Sequence, residues 1–122
     1  VYHFVWFNNA PERHGLFYAY TADRGETFSA PLNFGNFEAQ AGHPHVLSLG
    51  KAVHVVWKEF DGQNSVVMGM SSADGGKSWL PSRRIAATAG ASDHPLLIAD
   101  GARPYLSWNT AREGFRLVGV EP

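Results

Sequence analysis

Short hydrophobic runs, separated by polar turn residues, recur along the whole chain. In the middle of the sequence they are residues 43–49 (HPHVLSL), 52–60 (AVHVVWKEF), 65–71 (SVVMGMS) and 83–88 (RRIAAT). Runs of this length that end at Gly, Asp or Asn predict β-strands joined by hairpins. Several runs are apolar at consecutive positions, which is typical of a sheet covered on both faces. We therefore predict a four-stranded antiparallel sheet here, with strands A to D in chain order.

The predicted sheet belongs to an internal repeat of 51 residues. Trp57 follows Trp6 by 51 residues and precedes Trp108 by the same spacing. His43 and His94, each followed by proline, have this spacing too. A four-stranded sheet that recurs at a constant period is the unit of a β-propeller, whose blades stack around an axis.

The repeat predicts how the chain is divided. Residues 1–41 supply strands B, C and D of one blade, residues 42–92 a complete blade, and residues 93–122 strands A, B and C of the next. The chain is thus predicted to be all-β and part of a β-propeller, with about two and a half blades. Ten strands cannot close a ring of four-stranded blades, so we expect a piece of a longer chain or a ring completed by other copies or a partner. The strands predicted outside the middle blade are residues 1–7, 15–20, 31–37, 94–99, 103–108 and 115–120.

A compact polar motif fills the turn between strands C and D. In "SADGGKSW" (residues 72–79) a hydroxyl and a carboxylate can accept backbone N–H groups of the turn, and Gly76 permits positive φ. Trp79 can then pack its ring on the sheet. We interpret the motif as a structural clasp. The alternative, calcium ligands or catalytic acids at Asp23 and Asp74, has too few acids per loop for a calcium cage.

The motif resembles the Asp-box, or BNR repeat, of sialidases and related propellers, whose pattern is S/T-x-D-x-G-x-x-W/F. Through the 51-residue repeat this resemblance covers nearly the whole chain. A third box would begin at position 123, one residue past Pro122. The resemblance implies the C-terminal blades of a sialidase-like (exo-alpha-sialidase or neuraminidase-type) propeller, and a secreted or periplasmic location, the common habit of that family. The matching residues are Thr21, Asp23, Gly25 and Phe28 in the first box and Ser72, Asp74, Gly76 and Trp79 in the second.

The resemblance also implies where a site would lie. In sialidase-like proteins the pocket is on the side opposite the boxes, built from B–C and D–A connections, and three arginines, a tyrosine with a glutamate, and an aspartate do the chemistry. This chain has no Arg-Ile-Pro motif for the first arginine and no tyrosine that matches the nucleophile. We expect it to act on or bind glycans as part of a larger propeller, without a complete catalytic set. The alternative is a non-catalytic propeller scaffold for protein interaction or assembly.

Six residues are candidate substrate contacts on that side. Arginine binds a carboxylate through its planar fork, although loop charges are often merely solvated. The paired histidines could line a central channel, or could be a repeated structural element that bonds backbone. Tryptophans at the repeat position could stack on sugars, but blade-to-blade packing explains their spacing better. The candidates are Arg13, His43, Glu59, Asp93, His94 and Arg112.

The amino-acid composition argues against several classes of binding partner. The formal net charge is −1, so no basic surface favours nucleic acid, and no apolar stretch is long enough to span a bilayer. Cysteine is absent. No cofactor and no metal site is predicted, because His43, His45 and His54 lack the acidic neighbours of a zinc site. Terminal blades would expose apolar faces and strand edges, so we expect missing blades or self-association to cover them.

Overall fold

The computed structural model of the protein describes residues 1–121; Pro122, the last residue of the predicted third segment, lies outside them. The described chain is all-β, with one short 3₁₀ turn at Phe37–Ala39, which confirms the predicted class. The ten strands are β1 (Tyr2–Ala10), β2 (Arg13–Thr21), β3 (Leu32–Phe34), β4 (Gly42–Leu49), β5 (Ala52–Phe60), β6 (Ser65–Ser72), β7 (Arg83–Thr88), β8 (Leu96–Asp100), β9 (Arg103–Thr110) and β10 (Gly114–Gly119).

The strands form three antiparallel sheets in which chain neighbours pair. Sheet 1 has the order β1-β2-β3, sheet 2 the order β4-β5-β6-β7, and sheet 3 the order β8-β9-β10. The strand predicted over residues 31–37 is shorter than expected. It ends at Phe34 because Gly35 turns the chain at a φ of 77° and the Asn36 side chain then caps the 3₁₀ turn.

Two hydrophobic cores lie between the sheets. Side chains alternate across a strand, so adjacent residues of β5 serve different cores: Val55 packs toward sheet 1 and Val56 toward sheet 3. Sheet 2 is therefore covered on both faces, as its consecutive apolar runs predicted. The first core contains Leu16, Tyr18, Phe34, Val53, Val55, Trp57 and Met70, and the second contains Val56, Val67, Ala86, Leu97, Leu106, Trp108 and Val120.

The three tryptophans at the repeat position occupy equivalent places with different surroundings. Trp57 is 1% exposed and meets the ring of Phe34 in sheet 1 edge-on, at 4.9 Å between centroids. Trp108 is fully buried in the core shared with sheet 2. Trp6 is 36% exposed and stacks only on Phe17 of its own sheet. Trp57 and Trp108 thus point toward the sheet that comes before their own in the chain. For Trp6, the described residues contain no such sheet.

Both boxes form the same hydrogen-bonded clasp. In the second, the Ser72 hydroxyl donates to Asp74 Oδ1 (2.7 Å) and accepts the Gly76 N–H (2.9 Å), while Asp74 Oδ1 also accepts the Ser78 N–H (2.9 Å). Hydrogen bonds from the Ser78 side chain and backbone and from Ser72 hold the pKa of Asp74 far below its usual range.

The first clasp repeats this pattern with Thr21 and Asp23. The Thr21 hydroxyl donates to Asp23 (2.7 Å) and accepts the Gly25 N–H (3.0 Å), and Asp23 accepts the Thr27 N–H (2.9 Å). Hydrogen bonds from Thr27 and Thr21 lower the pKa of Asp23 to about 2. In each copy, these hydrogen bonds support the interpretation of the motif as a structural clasp.

The two clasps lie at one end of the stack of sheets. The Gly75 N–H donates to the carbonyl of Lys51, in the β4–β5 turn (2.8 Å). One hollow is lined by Ala22 of the first box and by Ala73 and Asp74 of the second. We call this the box end, and the opposite end of the sheets the distal end.

The hairpin between β9 and β10 is three residues shorter than the repeat predicts. Trp57 pairs with Met68, whereas Trp108 pairs with Arg116 and not with Gly119, 51 residues after Met68. The position equivalent to Ser72 is consequently Val120, whose N–H donates to the carbonyl of Pro104. The 51-residue spacing therefore does not hold in this hairpin, and buried Val120 occupies the position that Thr21 and Ser72 occupy in the other sheets.

Two features require glycine at position 76: its positive φ and the close approach of the Tyr18 side chain. Its φ is 93°, and a Cβ there would lie 1.9 Å from the hydroxyl oxygen of Tyr18 in sheet 1. That hydroxyl is hydrogen bonded to Nδ1 of His3 (2.6 Å), and the Tyr18 ring meets Trp79 edge-on at 4.8 Å. The second clasp is thus wedged against the neighbouring sheet.

We expect Gly76→Ala to lower the free energy of unfolding by about 2–4 kcal/mol, because the strain of positive φ adds to the overlap with Tyr18. Chemical denaturation measures the change. Gly75→Ala is the matched control: its φ is also positive (77°) and nothing lies within 4 Å of a new Cβ. Gly75→Ala should lower the free energy of unfolding by only about 1–2 kcal/mol. Equal losses for the two variants would show that the contact with Tyr18 is unimportant.

A histidine joins sheets 2 and 3. Nδ1 of His45, on β4, accepts the N–H of Leu97, on β8 (2.8 Å), so the imidazole must be neutral at this nitrogen. Burial lowers the pKa of His45 below its ordinary value of 6.5. In the unfolded chain the same imidazole binds a proton at higher pH than in the folded protein.

The contribution of His45 to stability is therefore complete above its unfolded pKa of about 6.5 and is lost as pH falls toward the lower folded pKa. In His45→Asn the amide oxygen can accept the same bond and does not titrate. We expect its unfolding free energy to fall less than that of the wild type between about pH 7.5 and 5.5. His45→Ala should be less stable at every pH, since the Leu97 N–H loses its partner. Parallel pH profiles for wild type and His45→Asn would contradict this role.

Candidate functional site

The distal end carries a hollow of about 600 Å³ between sheet 1 and the start of β4. Its wall is formed by the segment that leads from the 3₁₀ turn into β4, together with the end of β1. Two residues of that segment, Gln40 (φ 60°) and His43 (φ 52°), adopt the left-handed conformation although they are not glycine. Such conformations are uncommon and are often found at binding sites. The lining residues are Phe7, Phe37, Gln40, Ala41, Gly42, His43 and Pro44.

The hollow combines an aromatic surface with two polar side chains. Phe7 and Phe37 have nearly parallel rings (12° between planes) with centroids 6.5 Å apart, and the His14 ring lies 4.1 Å from that of Phe37. Gln40 and His43 supply the polar groups. Aromatic faces with an amide and an imidazole suit a ligand that has both C–H surfaces and hydroxyl groups.

Two candidate histidines meet at the edge of this hollow. The rings of His43 and His94 stack with centroids 3.6 Å apart and an angle of 14° between planes. Burial, His94 and Lys58 lower the pKa of His43. The structure thus brings the repeated His-Pro steps together through their rings. In the described residues, neither imidazole makes the backbone hydrogen bond that a purely structural corner would use.

Lys58 completes a polar cluster with the histidines. Its ammonium group donates to the carbonyl of Ser92 (3.2 Å). Burial lowers the pKa of Lys58, against the opposite effect of the nearby Asp93 carboxylate. The cluster of His43, His94, Lys58 and Asp93 therefore joins the end of β5 to the segment that precedes β8.

Glu59 follows Lys58 in β5 but points to the opposite face of the sheet, toward sheet 1, where its carboxylate is already engaged. Its Oε2 accepts the indole N–H of Trp57 (2.7 Å) and the backbone N–H of Asn36 (2.9 Å). These bonds fix the segment that carries the 3₁₀ turn. A sugar hydroxyl could still be bound, but the carboxylate also has a structural task that the sequence did not indicate.

A second carboxylate bridges sheets 2 and 3 at the same end. Glu113 Oε1 accepts bonds from the hydroxyls of Thr88 (2.7 Å) and Thr110 (2.9 Å), both buried. The hydrogen bonds from these threonines lower the pKa of Glu113. This group stays ionised and links neighbouring sheets.

The two candidate arginines lie in different places. Arg13 begins β2, and its guanidinium lies 5.6 Å from the ring centre of Phe17, which faces away from sheet 2. Arg112, in the β9–β10 turn, packs beside Gly90. Among the described residues no contact joins either arginine to the histidine pair. The structure brings together three of the six candidates: His43, Asp93 and His94.

Sequence reasoning missed the groups that shape the hollow. Phe7 and Phe37 end two predicted strands and Gln40 lies in a predicted connection, but only packing between the sheets brings the three side chains together. Lys58 could have been found, since its position in β5 places it on the face opposite Trp57 and beside the second His-Pro segment.

Residues 1–121 contain neither a cluster of metal ligands nor a membrane-spanning helix. No group of three or more His, Asp or Glu side chains is placed to hold a metal ion. His45 and His54 instead hydrogen bond to the Leu97 backbone and the Ser71 hydroxyl. No helix in this range is long and apolar enough to cross a membrane.

Comparison with known proteins adds no relative. No family model, no curated protein and no solved structure matches the chain.

Proposed function

We propose that the chain is part of a sialidase-like Asp-box β-propeller, and that the distal end of this propeller binds glycans. The observation that carries the proposal is the uniform stacking of the sheets. Trp57 packs on sheet 1 as Trp108 packs on sheet 2, and both clasps lie at the same end. Sheets related in this way build blades around an axis.

The contents of the two ends support the placement of the site. The box end is closed by clasps whose carboxylates are saturated by local hydrogen bonds. The distal end holds the aromatic hollow, the stacked histidines and Lys58, whose ammonium group is bound to the Ser92 carbonyl near Asp93. Sugars bind to such surfaces through C–H contacts with aromatic rings and hydrogen bonds from their hydroxyls.

This chain alone is proposed to bind without hydrolysing. Sialidases use a tyrosine nucleophile in place of a second carboxylate, and no tyrosine is among the residues that line the distal hollow. Here Glu59 is bound by Trp57 and Asn36, and Glu113 by two threonines.

The engagement of both carboxylates favours a second candidate, a non-catalytic propeller that serves as a scaffold for protein interaction or assembly. In that case the distal hollow would not recognise sugars.

A titration of the labelled chain with 3′-sialyllactose, followed by amide chemical shifts, tests glycan binding. We expect shifts at Gln40, Gly42 and His43, with a dissociation constant of about 1 mM, and no turnover of a fluorogenic sialoside. Gln40→Gly should weaken binding about fivefold through loss of one hydrogen bond.

Arg24→Gly is the matched control, because Arg24 also has positive φ (61°) but lies in the first box, at the other end. Both substitutions relax the same backbone conformation, and only the one at Gln40 should affect binding. An absence of distal shifts up to roughly ten times the expected dissociation constant, for this sugar and for lactose, would favour the scaffold.

A further inference from the structure

The two outermost faces of the stack are apolar and exposed. On sheet 1 the face that points away from sheet 2 carries Tyr2 (60% exposed), Phe4 (42%), Trp6 (36%) and, from the first box, Phe28 (56%). On sheet 3 the face that points away from sheet 2 carries Leu96, Ile98, Phe115 and Leu117, which are 46–71% exposed. We call these the front face and the back face. Apolar groups this numerous on one sheet face are typical of an interaction surface.

The back face is equivalent to a face that is buried inside the chain. Leu16 and Tyr18 flank Phe17, the partner of Trp6 in the β1–β2 pair, and they lie in the core that also holds Trp57. Phe115 and Leu117 flank Arg116, the partner of Trp108, and thus occupy the same positions in sheet 3. Leu16 and Tyr18 are at most 2% exposed.

The front face is equivalent to the face of sheet 2 that covers Leu16 and Tyr18. Trp6 stands where Trp57 stands in sheet 2, and Phe28 stands where Trp79 packs on Tyr18. Front and back faces therefore correspond to the two halves of an interface that the chain already makes between sheets 1 and 2. The front face of one copy therefore matches the back face of another in the same way as sheets 1 and 2 match within the chain.

We propose that the occupant of each face is a second copy of this chain, joined front to back, with Trp6 of one copy packed against Phe115 and Leu117 of the next. The argument is the continuity of this contact with the internal interfaces, and it does not depend on the proposed glycan binding. A front-to-back contact either closes into a ring or continues as a filament. Two copies would bring six sheets together, within the usual range of propeller blade numbers.

Sedimentation velocity over a range of concentrations tests the proposal. The wild type should form a dimer or larger species as concentration rises. Trp6→Glu disables the front face and Leu117→Glu the back face, so each variant alone should associate at least about 30-fold more weakly, as for a central interface residue. A mixture of the two should restore a one-to-one dimer, because each variant keeps the face that the other lacks.

Phe60→Glu is the control, since Phe60 is equally exposed (43%) but lies on neither face, at the end of β5. Circular dichroism must show native strand content for every variant, and Phe4→Glu replaces Trp6→Glu if the latter does not fold. A wild type that remains monomeric at all concentrations overturns the proposal. Association of Leu117→Glu alone at wild-type strength also overturns it, because that would require a front-to-front contact.

Discussion

The architecture depends on an indole ring inserted between neighbouring sheets. A separate sheet of three or four strands cannot bury either face, so each sheet is stabilised only through its neighbour. Trp57 and Trp108 supply the largest buried surfaces in the two cores. Burial of one indole, at about 150–250 Å² and 25 cal/mol per Å², contributes at most about 4–6 kcal/mol. A buried indole N–H also needs a hydrogen-bond acceptor. Trp57 donates to Glu59, and Trp108 donates to the carbonyl of Asp93. Each tryptophan therefore also fixes a segment at the distal end.

The clasps and the distal end satisfy their polar groups in different ways. Each clasp carboxylate is bound by backbone and side-chain groups within eight residues, so the clasps themselves are completed locally. At the distal end the bonds run between sheets, from Asn36 to Glu59, from Lys58 to Ser92 and from Thr88 to Glu113. A ligand in the distal hollow would consequently contact side chains that depend on two sheets at once. The stacked pair of His43 and His94 marks that junction.

Most of the strand order could be predicted from sequence, and the candidate site only in part. Hairpin pairing is local, so apolar runs and turn residues were sufficient for β5 and β7, whose bounds were predicted without error. The constant repeat failed at the β9–β10 hairpin, which is three residues shorter than the β5–β6 hairpin. Of the site, His43, Glu59, Asp93 and His94 were named in advance. The stacking of His43 on His94, the position of Lys58 beside Asp93 and the bond from Trp57 to Glu59 were not predicted.

The sequence by itself determined an all-β chain, a period of 51 residues and two clasps, because each of these rests on alternation or on hydrogen bonds between near neighbours. Only the tertiary structure decided the rest. A side chain at Gly76 is excluded by the hydroxyl of Tyr18, 58 residues earlier, and the ring of His43 stacks on a ring 51 residues later. Such contacts depend on the spacing and angle between stacked sheets. That geometry results from the packing of all core side chains together and is not encoded in any short segment.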